Sequence, residues 1–232
     1  MKSTIRKSTY KAIYRLLDRV SPVPFDCGEL CGCACCLPEG DDLGIYLLPG
    51  EEKIFTGCEE WLTWNYDDAE DYEFPDSWHG KVPFICCNTP PVCDRSMRPI
   101  QCRTYPVAPH LMTGDDSSEE KLILILSDID APYICPLIEK NSVYVSECDD
   151  KVDNNGDDNG DDHGDDHDDL ELLNIKTVSE NGKHSSDLKL DERFLKATHT
   201  IWKHLIKDPL IRDLVILDSD EREFFVPVYP KF

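Results

Sequence analysis

Five cysteines fall within the eleven residues of "DCGELCGCACC", Asp26 to Cys36. Three more, Cys86, Cys87 and Cys93, lie in "CCNTPPVC", Cys102 follows in "RPIQCRTYP" and Cys135 in "DAPYICPL". The chain holds 12 cysteines among 232 residues. Thiols at this density serve a disulfide framework, a nucleophile or a metal.

An even number of cysteines suits disulfides. Against them, the neighbouring pairs Cys35–Cys36 and Cys86–Cys87 do not bridge easily within themselves, because disulfide geometry is demanding. The first twenty residues carry charges throughout and hold no apolar core of a signal peptide, which predicts a chain in the reducing cytoplasm. A cysteine nucleophile would need a histidine base, and His79 and His110 are the histidines within the cysteine-rich region. His110 is expected to be an ordinary surface or core histidine, with an accessory-ligand role as the alternative.

Metal answers the pattern best. Zinc and iron–sulfur centres are held by thiolates, usually four per centre, at about 2.3 Å for zinc. Gly28 and Gly32 follow Cys27 and Cys31 directly, and glycine lets backbone amides turn toward sulfur. Arg98 and Arg103 bracket Cys102, where guanidinium groups offset the excess negative charge of clustered thiolates. Softness alone admits either zinc or iron. A radical-SAM spacing is not met, since Ala34 stands where its third cysteine belongs.

The elements that must position these thiols are legible in part. Residues Thr4 to Val20 predict a helix with Tyr10, Ile13, Tyr14 and Leu17 on one face. "SPVP" ends it. "LGIYLLPGEE" predicts a buried strand, Gly44 to Leu48, stopped by Pro49-Gly50, and Glu51 to Leu62 a short helix. "WNYDDAEDYEFPDSWHG" reads as an acidic, aromatic surface loop, with Trp61 and Trp64 as core residues. "KVPFICC" predicts a strand carrying Cys86 and Cys87, and "KLILILSD" the clearest strand of the chain. Near the C-terminus, Phe194, Leu195, Ile201, Trp202, Leu205 and Ile206 share a helical face that should cover the cysteine-rich part. Asp208 with Pro209 opens a second helix, and Asp218 with Glu221 reads as a capping box for a third.

Asp149 to Asp169 holds eleven aspartates and one lysine, repeating "DDNG", "DDHG", "DDHD". Such a stretch cannot bury enough apolar area to offset its ordering entropy. Asn155 to Asp166 resembles a calcium loop only loosely: its first position is Asn and its twelfth is not Glu. The expected organisation is a cysteine-cluster domain over 1–148, an acidic insertion over 149–186 and a helical segment over 187–232 packed on the first. The formal charge of −23 argues against nucleic acid and anionic membrane as partners. No apolar run approaches the roughly 20 residues of a membrane span.

The spacing Cys27-x3-Cys31-x3-Cys35-Cys36, with Cys93, Cys102 and "RPxxCRxYP" (Arg98 to Pro106) downstream, resembles the zinc- or iron-chelating CxxCxxCC family of YkgJ-type cysteine-cluster proteins. "PVPFDCGELCGCACC", "YLLPGEE" and "DAPYICPL" are similar to one branch of it, so the likeness runs from about Val20 to Leu137. It implies eight metal ligands: Cys27, Cys31, Cys35, Cys36, Cys87, Cys93, Cys102 and Cys135. Cys33 and Cys86 are alternates, since Cys33 is extra and the first two gaps are each one residue longer than the family name. Cys58 and Cys148 match nothing and read as spare or buried thiols. The resemblance implies a cofactor of zinc or iron, with an iron–sulfur cluster included.

The expected fold is α+β: a small, irregular, cysteine-rich, metal-stabilised domain with flanking amphipathic helices. The expected function is a structural or metal-handling module with a metal ion as partner. The alternatives are an enzyme related to flagellin lysine N-methylases, for which no Gly-rich nucleotide loop follows a strand here, and a thiol redox sensor.

Overall fold

The apolar stripe near the N-terminus is buried as its spacing requires. The computed structural model describes residues 2–36, 44–89, 95–113, 120–127, 135–138, 188–222 and 224–230. In it α1 spans Lys7–Leu17 and turns Tyr10, Ile13, Tyr14 and Leu17 into the core. No side chain caps α1 at Arg6. The chain just before it is held instead by Asp208, whose Oδ2 accepts from Thr4 N (2.6 Å), Thr4 Oγ1 (2.6 Å) and Ser3 Oγ (2.9 Å).

Two antiparallel three-stranded sheets form the α+β body. The first comprises β1 (Gly44–Tyr46), β2 (Leu62–Asp68) and β3 (Lys81–Cys87) in the order β1-β3-β2. The second comprises β4 (Val107–Thr113), β5 (Glu120–Leu126) and β6 (Pro227–Tyr229) in the order β4-β5-β6. β5 is the branched run, and Leu122 to Leu126 are all buried, as a central strand covered on both faces must be. β4 pairs with it from Val107↔Leu126 to Thr113↔Glu120.

Two longer helices cover the second sheet. α4 (Glu192–Leu205) buries Phe194, Leu195, Ile201, Trp202 and Leu205 against α1, β5 and β6. Asp191 caps it, accepting from the amides of Arg193 and Phe194. α5 (Pro209–Asp220) starts at the expected cap: Asp208 Oδ1 accepts from Leu210 N at 3.1 Å, and α5 lies on β4. Tyr10, Ile100, Leu124, Phe194 and Ile211 belong to one continuous core, so residues from both ends of the chain close around it. The C-terminal stripes thus meet α1 and the second sheet, and Cys27, Leu30 and Cys135 pack against the same core.

Three local expectations are corrected. Glu51 to Leu62 forms only a 3₁₀ turn, Glu51–Ile54, because Gly50 at φ 90° reverses the chain and Glu51 is taken into the interior. The acidic aromatic stretch is not a loop throughout: Leu62, Trp64 and Tyr66 alternate along β2. Beyond β2, Phe74 stacks on Trp78 (centroids 4.7 Å, interplanar 22°), and Trp78 Nε1 donates to Leu210 O at 2.9 Å, tying this segment to α5. Asp218 does not open a third helix; it lies in the last turns of α5.

Among the described residues no helix is long and apolar enough to cross a membrane. The expected acidic insertion at 149–186, the calcium-like loop, Cys93 and Cys148 lie outside the described residues.

Candidate metal centre

One helical turn organises the first thiols. α2 (Gly28–Cys31) begins at Cys27, and its i, i+4 spacing sets Cys27 and Cys31 on one side. Gly32 at φ 62° closes the turn, its amide donating to Gly28 O. Cys33 follows at φ 63°, the one described residue other than glycine with positive φ. That conformation costs a side chain roughly 1–2 kcal/mol. The left-handed pair turns the chain back, so that the 3₁₀ turn Ala34–Cys36 returns Cys35 toward Cys27 and Cys31. Gly28 is required by proximity, because a Cβ there would collide with Cys33 Sγ.

Four of the sequence-predicted ligands line one small cavity of about 30 Å³: Cys27, Cys31 and Cys35 from this loop, and Cys135 from a hundred residues away. Tyr105 and Pro106, at the end of the RPIQCRTYP motif, wall it. Cys135 opens a helical turn, in which Ile138 N donates to Cys135 O at 2.9 Å; burial raises its thiol, and the nearby Ile138 and Leu137 amides and Tyr105 hydroxyl act against that rise. Donors aimed at sulfur stabilise a thiolate.

The thiols feel one another and their charged neighbours. Burial raises Cys27 above the ordinary thiol value, the Arg95 guanidinium lowers it, and Asp26, Cys31 and Cys135 raise it again. Burial also raises Cys135 and Cys33. Cys35 and Cys36 stand 4.0 Å apart, sulfur to sulfur. Their contact pushes the Cys35 thiol up and lowers that of Cys36 to about 6, with Arg98 helping. The Arg98 guanidinium acts in the same direction on Cys33. Arg103 is engaged elsewhere: its Nη2 meets Asp18 Oδ1 at 2.5 Å, its Nη1 donates to Ser96 O at 3.2 Å, and its guanidinium lies 5.2 Å from the centre of the Tyr14 ring. Arg95 is the cation that sequence reasoning passed over. It reaches Asp26 at 3.9 Å and donates to Ser21 Oγ at 3.1 Å.

The remaining predicted ligands do not line this cavity. Cys86 and Cys87 sit at the end of β3, and strand alternation sends their side chains to opposite faces, so at most one of them serves any one site. Cys86 is closely backed by Gly44, whose missing Cβ would stand 3.0 Å from its sulfur, and Asn65 Nδ2 lies 3.9 Å from that sulfur. Cys102 is exposed on α3 (Ile100–Thr104). Cys58 is exposed in the turn after Ile54, with its amide on Thr56 Oγ1. His110 is buried on β4, its ring 4.1 Å from that of Phe225, and burial lowers its pKa. None of the ten described cysteines is joined to another by a disulfide. As placed, no three Cys, His, Asp or Glu side chains among the described residues are grouped closely enough to hold a metal ion.

Glu51, which had no mark in the sequence beyond its place in YLLPGEE, ties together the segments that lead to the cavity wall. Glu51 is fully buried. Its Oε1 accepts from Tyr14 Oη (2.7 Å) and Ile100 N (2.8 Å), and its Oε2 from Leu48 N (3.1 Å). Burial raises its pKa and these three donors lower it. It thereby ties α1, the turn after β1 and the start of α3, and α3 leads directly to Tyr105. Gln101 Nε2 adds a bond to Tyr46 O at 3.0 Å. No family model, curated protein or solved structure matches the chain.

Proposed function

We propose that this is a cytoplasmic metal-binding protein of the cysteine-cluster kind, in which Cys27, Cys31, Cys35 and Cys135 hold a zinc or iron centre that is structural or handled as cargo. The observation that carries the reading is the meeting of these four thiols, from segments a hundred residues apart, around one cavity of about 30 Å³. The donor set fits the group chemically: four sulfurs suit zinc or an iron–sulfur centre, and amide donors already face Cys135. Burial raises Cys27 and Cys135 and so favours their protonated, thiol form in the absence of a cation. A divalent cation bound there would displace their protons to solvent and favour the thiolates. Its contribution is to crosslink the Cys27–Cys35 loop to the Pro136–Ile138 turn, while Arg95 and Arg98 answer the residual negative charge.

Cys36, Cys87, Cys93 and Cys102, the other four ligands implied by the resemblance, belong to a second metal or to its delivery. The net charge of −23 supports a partner set without nucleic acid.

Titration of the reduced chain with cobalt(II) under nitrogen tests the proposal. Thiolate coordination produces an intense near-ultraviolet charge-transfer band with visible bands of a tetrahedral site. We expect saturation at a fixed stoichiometry, and loss of the visible bands in Cys27→Ser and Cys135→Ser. A chain that stays folded and gives only the spectrum of aqueous cobalt contradicts it.

A further inference from the structure

The first sheet ends on a strand whose outer side meets no other strand among the described residues. Among the described residues β2 pairs with β3 alone, in register from Leu62↔Cys87 to Asp68↔Lys81. Just outside the ladder, Asn88 N donates to Trp61 O (2.8 Å) and Ala69 N to Gly80 O (2.9 Å). The odd-numbered residues of β2 therefore face β3, and the amides and carbonyls of Trp64, Tyr66 and Asp68 face away from it. No other described residue takes up these amides.

That edge carries no lysine, proline or bulge, and its charges are all of one sign. Strands left at an edge are commonly blunted by lysine, proline or a bulge. Here the centre carries a stacked pair, Trp64 on Tyr66, with ring centroids 6.2 Å apart and planes 19° apart, and Tyr66 is 56% exposed. In sequence, residues 59–76 hold eight carboxylates, Glu59, Glu60, Asp67, Asp68, Glu70, Asp71, Glu73 and Asp76, and no lysine or arginine. Lys81, across from Asp68 at 2.9 Å, is the nearest compensation along the ladder.

We propose that the outer edge of β2 is a docking strand for an extended, lysine- or arginine-rich segment of another protein. The incoming backbone completes the bonds of Trp64 and Tyr66. Alternate cationic side chains lie over the two rings and among the carboxylates. A second copy of the chain is a poor occupant, since pairing β2 with itself brings two sets of eight carboxylates together. The inference is independent of the metal centre.

The test is fluorescence anisotropy of the full chain with a labelled heptapeptide of alternating lysine and valine at low ionic strength. Two controls accompany it: the same peptide with proline for valine, which keeps the charge but cannot form a strand, and one with glutamate for lysine. We expect the lysine–valine peptide to bind at least about tenfold tighter than the proline peptide, and the glutamate peptide not to bind. Tyr66→Lys should weaken binding about tenfold by placing like charge on the edge, with circular dichroism unchanged. Should that variant fail to fold, the comparison among peptides stands without it. Equal binding of the proline peptide would show attraction by charge alone and overturn the proposal. Absence of binding would do the same, and so would a concentration-dependent dimer that Tyr66→Lys abolishes, which assigns the edge to a second copy.

Discussion

Glu51 Oε1 accepts the amide proton of Ile100 at 2.8 Å, across 49 residues of sequence. This bond joins the two most distinctive motifs after the cysteine loop, YLLPGEE and RPIQCRTYP. A buried carboxylate with three donors is stable only while all three remain, because each donor left behind in the interior costs about 1–3 kcal/mol. Glu51→Ala should therefore destabilise the chain by several times about 1 kcal/mol, and Glu51→Gln by less, since glutamine keeps the Tyr14 and Ile100 bonds and opposes only Leu48 N. Urea unfolding of the two variants checks the order. Equal stability of Glu51→Ala and the parent would mean that these bonds contribute nothing.

Asp208 joins residue 4 to α5 with both carboxylate oxygens and is 1% exposed. Asp208→Ala removes a helix cap and strands Thr4 N. A loss of about 2–3 kcal/mol is expected, read as a lower urea midpoint with an unchanged slope. Asp208→Asn should recover part of it, since an amide oxygen still accepts from Leu210.

Cys33 has positive φ, and its sulfur does not line the cavity. Cys33→Gly should relieve the strain, raise stability by up to about 1 kcal/mol and leave metal content unchanged. Loss of metal in this variant would place Cys33 in the ligand set in exchange for one of the four.

Asp218 sets a pH dependence of its own. Burial raises its carboxyl from 3.8 to about 6, against the lowering effect of Arg222. The folded chain thus holds this proton more tightly than the unfolded chain, so stability falls as pH rises from about 4 to 6 and the penalty is complete above that. The side chain is half-buried, so solvent screening leaves roughly 1–2 kcal/mol of penalty. Asp218→Asn should be more stable than the parent by this amount at pH 7 and equal to it near pH 4. A stability difference independent of pH would contradict this.

The parts of the fold legible in the sequence were those set by local periodicity. The stripes of α1, α4 and α5, the continuous apolar run of β5 and the Asp208-Pro209 start each carry their signal within a few residues. β2 was hidden because its carboxylates outnumber its apolar residues, and the alternation of Leu62, Trp64 and Tyr66 is decided by pairing with β3. The loop thiols could be grouped from spacing, because a single turn sets Cys27 beside Cys31. The approach of Cys135, the wall made by Tyr105 and the role of Arg95 depend on contacts between distant segments, which spacing does not report. Arg103 shows the same limit: it neighbours Cys102 in sequence, yet Asp18 and Tyr14 on α1 receive its charge.

Elemental analysis of the native chain, purified without exposure to air and without added metal, reaches the central claim most directly. The account predicts zinc or iron at a fixed ratio of at least about one atom per chain, lost together with thermal stability in Cys135→Ser and retained in Cys58→Ser. A folded chain of undiminished melting temperature that contains neither metal would contradict it.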